Sequence, residues 1–326
     1  MQEMVMIAAF IAIYAIGVGT ISSMVGIGGG IFNTPLLMII FLLSAQFAPA
    51  TALVAALFLA IASSISYWRQ NPRPIIPKAG IFLAVTTAPG SIIGVMLRTL
   101  ISDDYVLRLI FGISLMPVAI KMLFAAKREK GDIASELAAY DMSLLTQKRL
   151  ALSLFGGFIG GVSAGLLGIG GGAVIVPVLS ILMGLPMHAA VATSMFTMMV
   201  TASAGTAMNW ISGFINPYYA ISLGIGMVIG GQIGSRLAPR VNSVQLKRIF
   251  GLILVFPLVK MMKLGQMWLD PMGTSILITT IGDIIIWLCI VTPIGLLRLY
   301  QLRKQSRDLL ETVSPSESLV SESVDT

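Results

Sequence analysis

The pentapeptide Gly-Ile-Gly-Gly-Gly occurs twice in this chain, at residues 26–30 and again, 142 residues later, at residues 168–172. A proline follows each copy at the same distance, as Pro35 and Pro177, and each copy lies between two apolar stretches. The same offset pairs further residues, namely Leu37 with Leu179, Ala50 with Ala192, Thr51 with Thr193 and Trp68 with Trp210. This long repeat predicts a duplicated chain whose halves share one fold.

The composition indicates a chain that a bilayer solvates, because 56% of its 326 residues are hydrophobic, 11% are charged and the mean hydropathy is +0.93. A transmembrane helix needs about 20 apolar residues to cross a hydrocarbon core of about 30 Å. Apolar stretches occupy residues 4–24, 31–45, 50–68, 75–97, 105–125, 150–167, 173–185, 189–211, 220–237, 246–262 and 276–297. Because 31–45 and 173–185 are short and follow the glycine pentapeptides, we expect half-membrane or steeply packed helices there, and the sequence leaves open whether they cross.

The distribution of lysine and arginine predicts the orientation of the chain. Basic residues concentrate in segments 69–78, 127–149 and 236–248 and in the C-terminal tail, so we expect these to be cytoplasmic. Segment 212–219 has no charge, and it should lie outside together with the N-terminus. Segment 98–108 is also placed outside, because its two arginines are offset by two aspartates. The two halves then have opposite orientations, as in transporters built from inverted repeats.

The predicted fold class is therefore an all-α polytopic membrane protein with two inverted repeats, Gly-rich broken or half-membrane helices and one extra C-terminal transmembrane helix. The predicted organisation is a first membrane repeat at 4–125, a cytoplasmic linker at 126–149, a second membrane repeat at 150–263, an additional transmembrane helix at 274–298 and a disordered cytoplasmic tail at 299–326.

Four glycines in five residues do not hold a stable helix, so each pentapeptide predicts a helix break at membrane depth. A helix that starts after such a break directs free N–H groups and the positive end of its dipole into the protein, which favours an anion. No lysine or arginine falls in the middle of an apolar stretch, so we expect backbone dipoles and hydroxyls to hold that anion. The predicted substrate-binding residues are Gly28, Gly29, Gly30, Asn33, Thr34, Thr51, Gly170, Gly171, Gly172, Thr193 and Ser194. Hydroxyls that bond back to their own helix are the alternative.

Several function classes are disfavoured by what the chain contains. With one cysteine, Cys289, and one histidine, His188, we expect no metal site and no redox chemistry. The nucleophile-elbow pattern at 161–165 falls in an apolar helix, so we expect no catalytic residue, no cofactor and no enzyme activity. Topology accounts for the net charge of +7, and we expect no nucleic-acid partner.

The doubled pattern Gly-x-Gly-Gly-Gly-x-x-x-x-Pro is followed by Ala-Thr-Ala at 50–52 and by Ala-Thr-Ser at 192–194. In these motifs the chain resembles the sulfite exporter TauE/SafE family of membrane transporters, from about residue 4 to residue 297. The resemblance implies a multi-pass permease of the plasma membrane for small sulfur-containing anions such as sulfite or organosulfonates. A passive anion channel and a non-transporting membrane partner subunit remain alternatives. A proton is a candidate coupling ion, with Asp283 as its candidate carrier, although a hydrated or paired Asp283 near the outer interface is the favoured interpretation. The substrate anion, the direction of transport and the oligomeric state are not predicted.

Overall fold

A computed structural model of the protein describes residues 2–101 and 145–240 throughout, with single residues and short stretches between 103 and 120 and between 255 and 293. These residues form helices and their connections, and no strand occurs among them. The chain divides into two units, Met1–Met262 and Lys263–Thr326. In the second unit, residues 281–289 are helical. The predicted tail at 299–326, most of the linker at 126–149 and most of the additional helix at 274–298 lie outside the described residues.

Residues 2–101 contain the helices α1 at Gln2–Val25, α2 at Gly30–Ile39, α3 at Phe47–Trp68 and α4 at Pro77–Leu100. The second half forms α5 at Gln147–Leu167, α6 at Gly172–Pro177, α7 at Met187–Ile211 and α8 at Pro217–Leu237. A π-helical turn, Val178–Leu182, directly follows α6. The first pentapeptide thus lies between α1 and α2, and the second between α5 and α6.

Local sequence signals fix several of these helix ends. Proline occupies the first position of α4 and of α8, where its fixed φ suits a helix start and its missing N–H costs no hydrogen bond. Ahead of α8, the Asn216 side chain accepts hydrogen bonds from the backbone N–H groups of Tyr218 and Tyr219. At the other end, α5 terminates at Gly168, which adopts a left-handed conformation.

Within the described residues, five helices are long and apolar enough to cross a membrane, namely α1, α3, α4, α5 and α8. The helix α7 has 25 residues, but threonine and serine side chains lower its hydropathy. Large apolar side chains such as Ile81, Val85, Phe155 and Ile221 are exposed on the outer faces of these helices. Such a surface is stable against lipid and not against water, so the fold is that of a polytopic α-helical membrane protein.

Helix pairing follows the duplication. The most extensive contacts join α1 to α8 and α4 to α5, and the next join α3 to α8 and α4 to α7. Under the sequence offset, α1 corresponds to α5, α3 to α7 and α4 to α8, so each pair has its counterpart in the other half. Glycines allow the backbones to approach, since a Cβ on Gly94 would overlap the Val162 carbonyl oxygen and one on Gly230 the Ile16 carbonyl oxygen. Among the described helices, α4 of the first half therefore packs against α5 of the second, and α8 of the second half against α1 of the first.

Candidate functional site

The two glycine pentapeptides lie against each other in reversed order. A Cβ on Gly30 would overlap the Gly168 carbonyl oxygen and lie 2.7 Å from Ile169 Cα. A Cβ on Gly172 would overlap the Gly26 carbonyl oxygen and lie 3.0 Å from the carbonyl carbon of Ile27. The first residue of each copy therefore touches the last residue of the other, so the two segments run antiparallel in backbone contact. We call this region of residues 26–30 and 168–172 the glycine crossing.

The glycine crossing contains buried amide groups without acceptors. Gly28, Gly29, Gly170 and Gly171 have φ values of 92°, 71°, 75° and 79°, a region that side chains disfavour, and all four are buried. Within residues 2–101 and 145–240, none of their N–H groups donates a hydrogen bond. A buried N–H without a partner is rare in folded proteins, because it has lost its water and gained nothing in return. The crossing therefore offers several donors to a bound group.

Asn33 adds an unpartnered side chain to the first half of the crossing. It is 0% exposed, its backbone N–H donates to the Gly29 carbonyl, and neither atom of its side-chain amide has a hydrogen-bond partner. Ser22 of α1 is equally buried, its hydroxyl has no partner, and it lies 3.5 Å from the Cβ position of Gly29. We did not predict Ser22 as a site residue, although its place four residues before the first pentapeptide, on the last turn of α1, is a usable signal.

The centre of the crossing is covered by a methionine. The Sδ atom of Met198 in α7 lies 2.5 Å from the Cβ position of Gly28 and 2.6 Å from that of Gly170. Its counterpart under the repeat is Ala56 of α3, which lies 3.4 Å from the Cβ position of Gly170. The side chain at this position is therefore large in the second half and small in the first. The flexible thioether of Met198 fills the space beside both pentapeptides.

Thr34 and Ser194 connect the two halves at the crossing. The Thr34 hydroxyl donates to the Leu167 carbonyl at 3.2 Å, immediately before the second pentapeptide. The Ser194 hydroxyl lies 2.7 Å from the Val191 carbonyl oxygen and 3.3 Å from that of Gly26, the first residue of the first pentapeptide. Each side chain thus binds the backbone where the other half begins its break, and both are buried.

Thr51 of α3 and Thr193 of α7 are equivalent under the repeat, and each contacts the residue that precedes a helix of the opposite half. The Thr193 hydroxyl accepts a hydrogen bond from the Ile76 N–H at 3.0 Å, and the Thr51 hydroxyl accepts one from the Asn216 N–H at 3.0 Å. Ile76 and Asn216 are the residues directly before α4 and α8. Each threonine therefore holds the start of a helix in the opposite half, and its own O–H can still donate to another group.

Replacing Thr193 by valine should destabilise the protein by about 1–3 kcal/mol, because the Ile76 N–H would lose its acceptor in a largely dry environment. Thermal unfolding of the purified protein in detergent measures this loss. Thr193→Ser is the matched control, since it retains the hydroxyl, and it should unfold close to the wild-type temperature. Equal unfolding temperatures for the valine variant and the wild type would contradict the assigned hydrogen bond.

Arg98 lies within a helix and not in a connecting segment. We expected it to begin segment 98–108, but α4 extends to Leu100 and Arg98 is 0% exposed. Its Nη1 donates to the Gly165 carbonyl at 3.0 Å, and its Nη2 contacts the Asn209 side-chain oxygen. These partners keep the last turn of α4 helical around a buried guanidinium. The spacing of seven residues from Ser91 to Arg98, which places both on one helix face, could have indicated this.

Together, the long apolar helices, the two backbone breaks in mutual contact and the buried donors define a polytopic membrane protein of the transporter class. Residues 11–261 match the family described as Sulfite exporter TauE/SafE, and the chain belongs to that family.

Named relatives agree with this assignment. The chain is 28% identical over 268 residues to the probable membrane transporter protein YunE of Bacillus subtilis, an alignment that covers 76% of this chain and 95% of that protein. It is 28% identical over 277 residues to a probable membrane transporter protein of Methanocaldococcus jannaschii, covering 79% of this chain and 97% of the relative. No solved structure matches the chain. Family and relatives indicate a membrane transporter and not an enzyme.

Proposed function

We propose that the protein is a secondary transporter for small sulfur-containing anions, such as sulfite or organosulfonates, and that the glycine crossing is its central substrate site. The observation that carries this proposal is the set of buried donors without acceptors, namely the amides of Gly28, Gly29, Gly170 and Gly171 together with the Asn33 side chain. Hydrogen-bond donors buried away from water favour a ligand whose surface atoms are hydrogen-bond acceptors. An oxyanion is such a ligand, and the start of α2 at Gly30 adds the positive end of a helix dipole.

The proposed site draws on both halves. The substrate oxygens would accept hydrogen bonds from the backbone around Gly28, Gly29 and Gly30 in the first half and around Gly170, Gly171 and Gly172 in the second. The side-chain amide of Asn33 is the strongest side-chain candidate, because its hydrogen-bonding capacity is unused. The hydroxyls of Thr51 and Thr193 can donate to the substrate, and Thr34 and Ser194 complete the proposed set by giving their O–H to the substrate in place of the backbone carbonyls they now bind. The sulfur chemistry of the substrate comes from the description of the family, Sulfite exporter TauE/SafE.

Alternating access is the proposed mechanism. Two inverted repeats around one site provide two equivalent gates, so the site can open to either side in turn. The exchange of helix pairs between the halves and the equivalent roles of Thr51 and Thr193 support such a relationship. We place the protein in the plasma membrane with its N-terminus outside and its C-terminus in the cytoplasm, because basic residues crowd segment 69–78 and segment 212–219 has none.

The proposed partners are a small anionic substrate and the lipid bilayer, with a proton as the candidate coupling ion and no nucleic acid. Asp283 is buried within helical residues 281–289, and a paired Asp283 is the favoured interpretation, with proton carriage as the alternative. The organisation into two repeats, at 4–125 and 150–263, is part of this proposal. The proposed function requires no particular oligomeric state.

Uptake into liposomes tests the proposal. The purified protein is reconstituted, and uptake of labelled sulfite is compared with that of sulfate, taurine, sulfoacetate and chloride, with and without an imposed proton gradient. Saturable uptake of sulfite or sulfoacetate is the expected result, and dependence on the gradient would identify the proton as the coupling ion. Flux that rises linearly with concentration would indicate a channel instead. No flux of any of these anions would favour a membrane partner subunit and contradict the proposal.

A further inference from the structure

A second group of buried polar side chains lies between α4 and α7, apart from the residues of the glycine crossing. It consists of Ser91 and Arg98 of α4 and Thr206 and Asn209 of α7, and we call it the arginine cluster. Arg98, Asn209 and Ser91 are each 0% exposed. The Arg98 guanidinium contacts the Asn209 side chain, and a Cβ on Gly205 would overlap the Ser91 hydroxyl. Ser91, Arg98 and Asn209 therefore lie at the interface of the two helices, and Thr206 is three residues before Asn209 on α7.

Each member of the arginine cluster has an atom without a hydrogen-bond partner. These atoms are Arg98 Nε, Asn209 Nδ2, Ser91 Oγ and Thr206 Oγ1. Two of them are donors only, and the two hydroxyls can donate or accept. Buried polar atoms are normally satisfied, so the three at the contact of α4 with α7, on Ser91, Arg98 and Asn209, indicate that another group belongs there. A group that brings acceptors fits all four atoms.

The arginine cluster also has an unbalanced charge. In the part of the chain that the structure describes, the partners of Arg98 are the neutral Gly165 carbonyl and the neutral Asn209 amide, and no carboxylate contacts it. A buried ion without a counter-ion is strongly unfavourable, so a bound anion would stabilise this arrangement. One guanidinium balances one negative charge. A dianion such as sulfate would leave one charge uncompensated, whereas a sulfonate or hydrogensulfite would leave none.

We propose that Arg98, Asn209 and Ser91 form a second anion-binding site that selects small oxyanions with a single negative charge, with sulfonates as the representative class. This inference rests on the proposed function and adds a charge criterion for the substrate. The Gly165 carbonyl that Arg98 binds lies three residues before the second pentapeptide, so the site is next to the crossing along α5. The guanidinium can form the paired hydrogen bonds that suit two oxygens of one sulfonate group.

The other half of the protein has no matching buried charge, because the 142-residue offset pairs Arg98 with Arg240, which is exposed. There, the residue equivalent to Asn209 is Tyr67, whose hydroxyl donates to the Ser23 carbonyl at 2.9 Å. Ser23 is in turn the equivalent of Gly165. Tyr67 therefore donates to the carbonyl that corresponds to the one bound by Arg98. The basic residue in the last turn of α8 is Arg236, and it is exposed. The second site therefore belongs to one end of the helix bundle only.

Binding of methanesulfonate to the full-length protein in detergent tests the inference, with calorimetric titration as the readout and sulfate as the competitor at equal ionic strength. Because the crossing also binds sulfonates in this account, the Asn33→Leu variant is used as the background in which the arginine cluster is measured alone. We expect methanesulfonate to bind at least tenfold more tightly than sulfate. Arg98→Met in that background should weaken methanesulfonate binding at least tenfold. Arg236→Met, the matched control at the exposed arginine of α8, should leave it unchanged.

Two outcomes would overturn the inference, namely unchanged methanesulfonate affinity in the Arg98→Met protein and equal affinity for sulfate and methanesulfonate. If Arg98→Met does not give monodisperse protein, Asn209→Leu replaces it, with an expected loss of at least threefold, and unchanged affinity there also overturns the inference. Liposome uptake separates this failure from failure of the proposed function. If the wild type takes up sulfonate and the Arg98→Met protein binds and transports it equally well, the second site is ruled out and the proposed function stands. If the wild type neither binds nor takes up sulfonate, both the second site and the proposed function are ruled out.

Discussion

Replacing Gly30 by alanine is expected to prevent the protein from reaching its folded state. The new Cβ would overlap the carbonyl oxygen of Gly168, which is part of the other pentapeptide's backbone and not the end of a flexible side chain. Relief would require the two halves to separate at their closest contact. Overpacking in a core costs about 1–3 kcal/mol even where side chains can move, so we expect a loss of about 3 kcal/mol or more here. Yield of monodisperse protein on size-exclusion chromatography and thermal unfolding measure the effect.

Gly17→Ala is the matched control for this prediction. Gly17 lies within α1, and no atom lies within 4 Å of its Cβ position, so alanine should be tolerated and can raise helix stability by up to about 1 kcal/mol. Gly172→Ala should behave like Gly30→Ala, because its Cβ would overlap the Gly26 carbonyl oxygen. A Gly30→Ala protein with the yield and unfolding temperature of the Gly17→Ala protein would show that the pentapeptides do not touch as described.

Replacing Asn33 by leucine should reduce anion uptake at least tenfold while leaving the protein as stable as the wild type or more stable. The side-chain amide of Asn33 is buried and has no hydrogen-bond partner, so leucine breaks no bond within the protein. Removing an unsatisfied buried amide typically recovers about 1–3 kcal/mol. If that amide binds substrate, its removal harms transport alone. Uptake into liposomes and thermal unfolding of the same preparation separate the two effects.

Ile175→Leu provides the control for Asn33→Leu, because Ile175 is the equivalent residue of the second half and is equally buried. A swap between two apolar residues of equal volume should leave uptake close to the wild-type rate. If the Asn33→Leu protein transports as well as the Ile175→Leu protein, Asn33 has no role in substrate binding. A fall in the unfolding temperature of Asn33→Leu would instead indicate that the amide has a structural partner.

The sequence predicted the positions of the long helices well, because apolar length and proline starts are local properties. The predicted stretches 50–68 and 220–237 are α3 and α8, and the prolines at positions 77 and 217 begin α4 and α8. The pentapeptides lie between helices as their glycine content suggests. Of the predicted site residues, Asn33 has the environment that a ligand-binding side chain needs, and Thr34 and Ser194 lie at the crossing.

Features that depend on the meeting of distant segments were not predictable from local patterns. The reversed order in which the pentapeptides touch follows from the packing of α1 on α8 and of α5 on α4, which no hydropathy profile contains. Arg98 was assigned to a loop because a charged residue ends an apolar stretch, whereas the Gly165 carbonyl and Asn209 allow the helix to continue through it. Ser22 was missed because we expected the substrate beside the helices that follow each pentapeptide, whereas Ser22 lies before the first one, on the last turn of α1.

The most direct test of the central claim is the uptake of labelled sulfite into liposomes by the wild type and by Asn33→Leu, measured in parallel on preparations in which the variant unfolds at no lower temperature than the wild type. If the glycine crossing binds the transported anion, wild-type uptake saturates with sulfite concentration and the variant shows at least tenfold slower uptake. Wild-type and variant rates that agree at every sulfite concentration would contradict the claim that transport passes through the crossing.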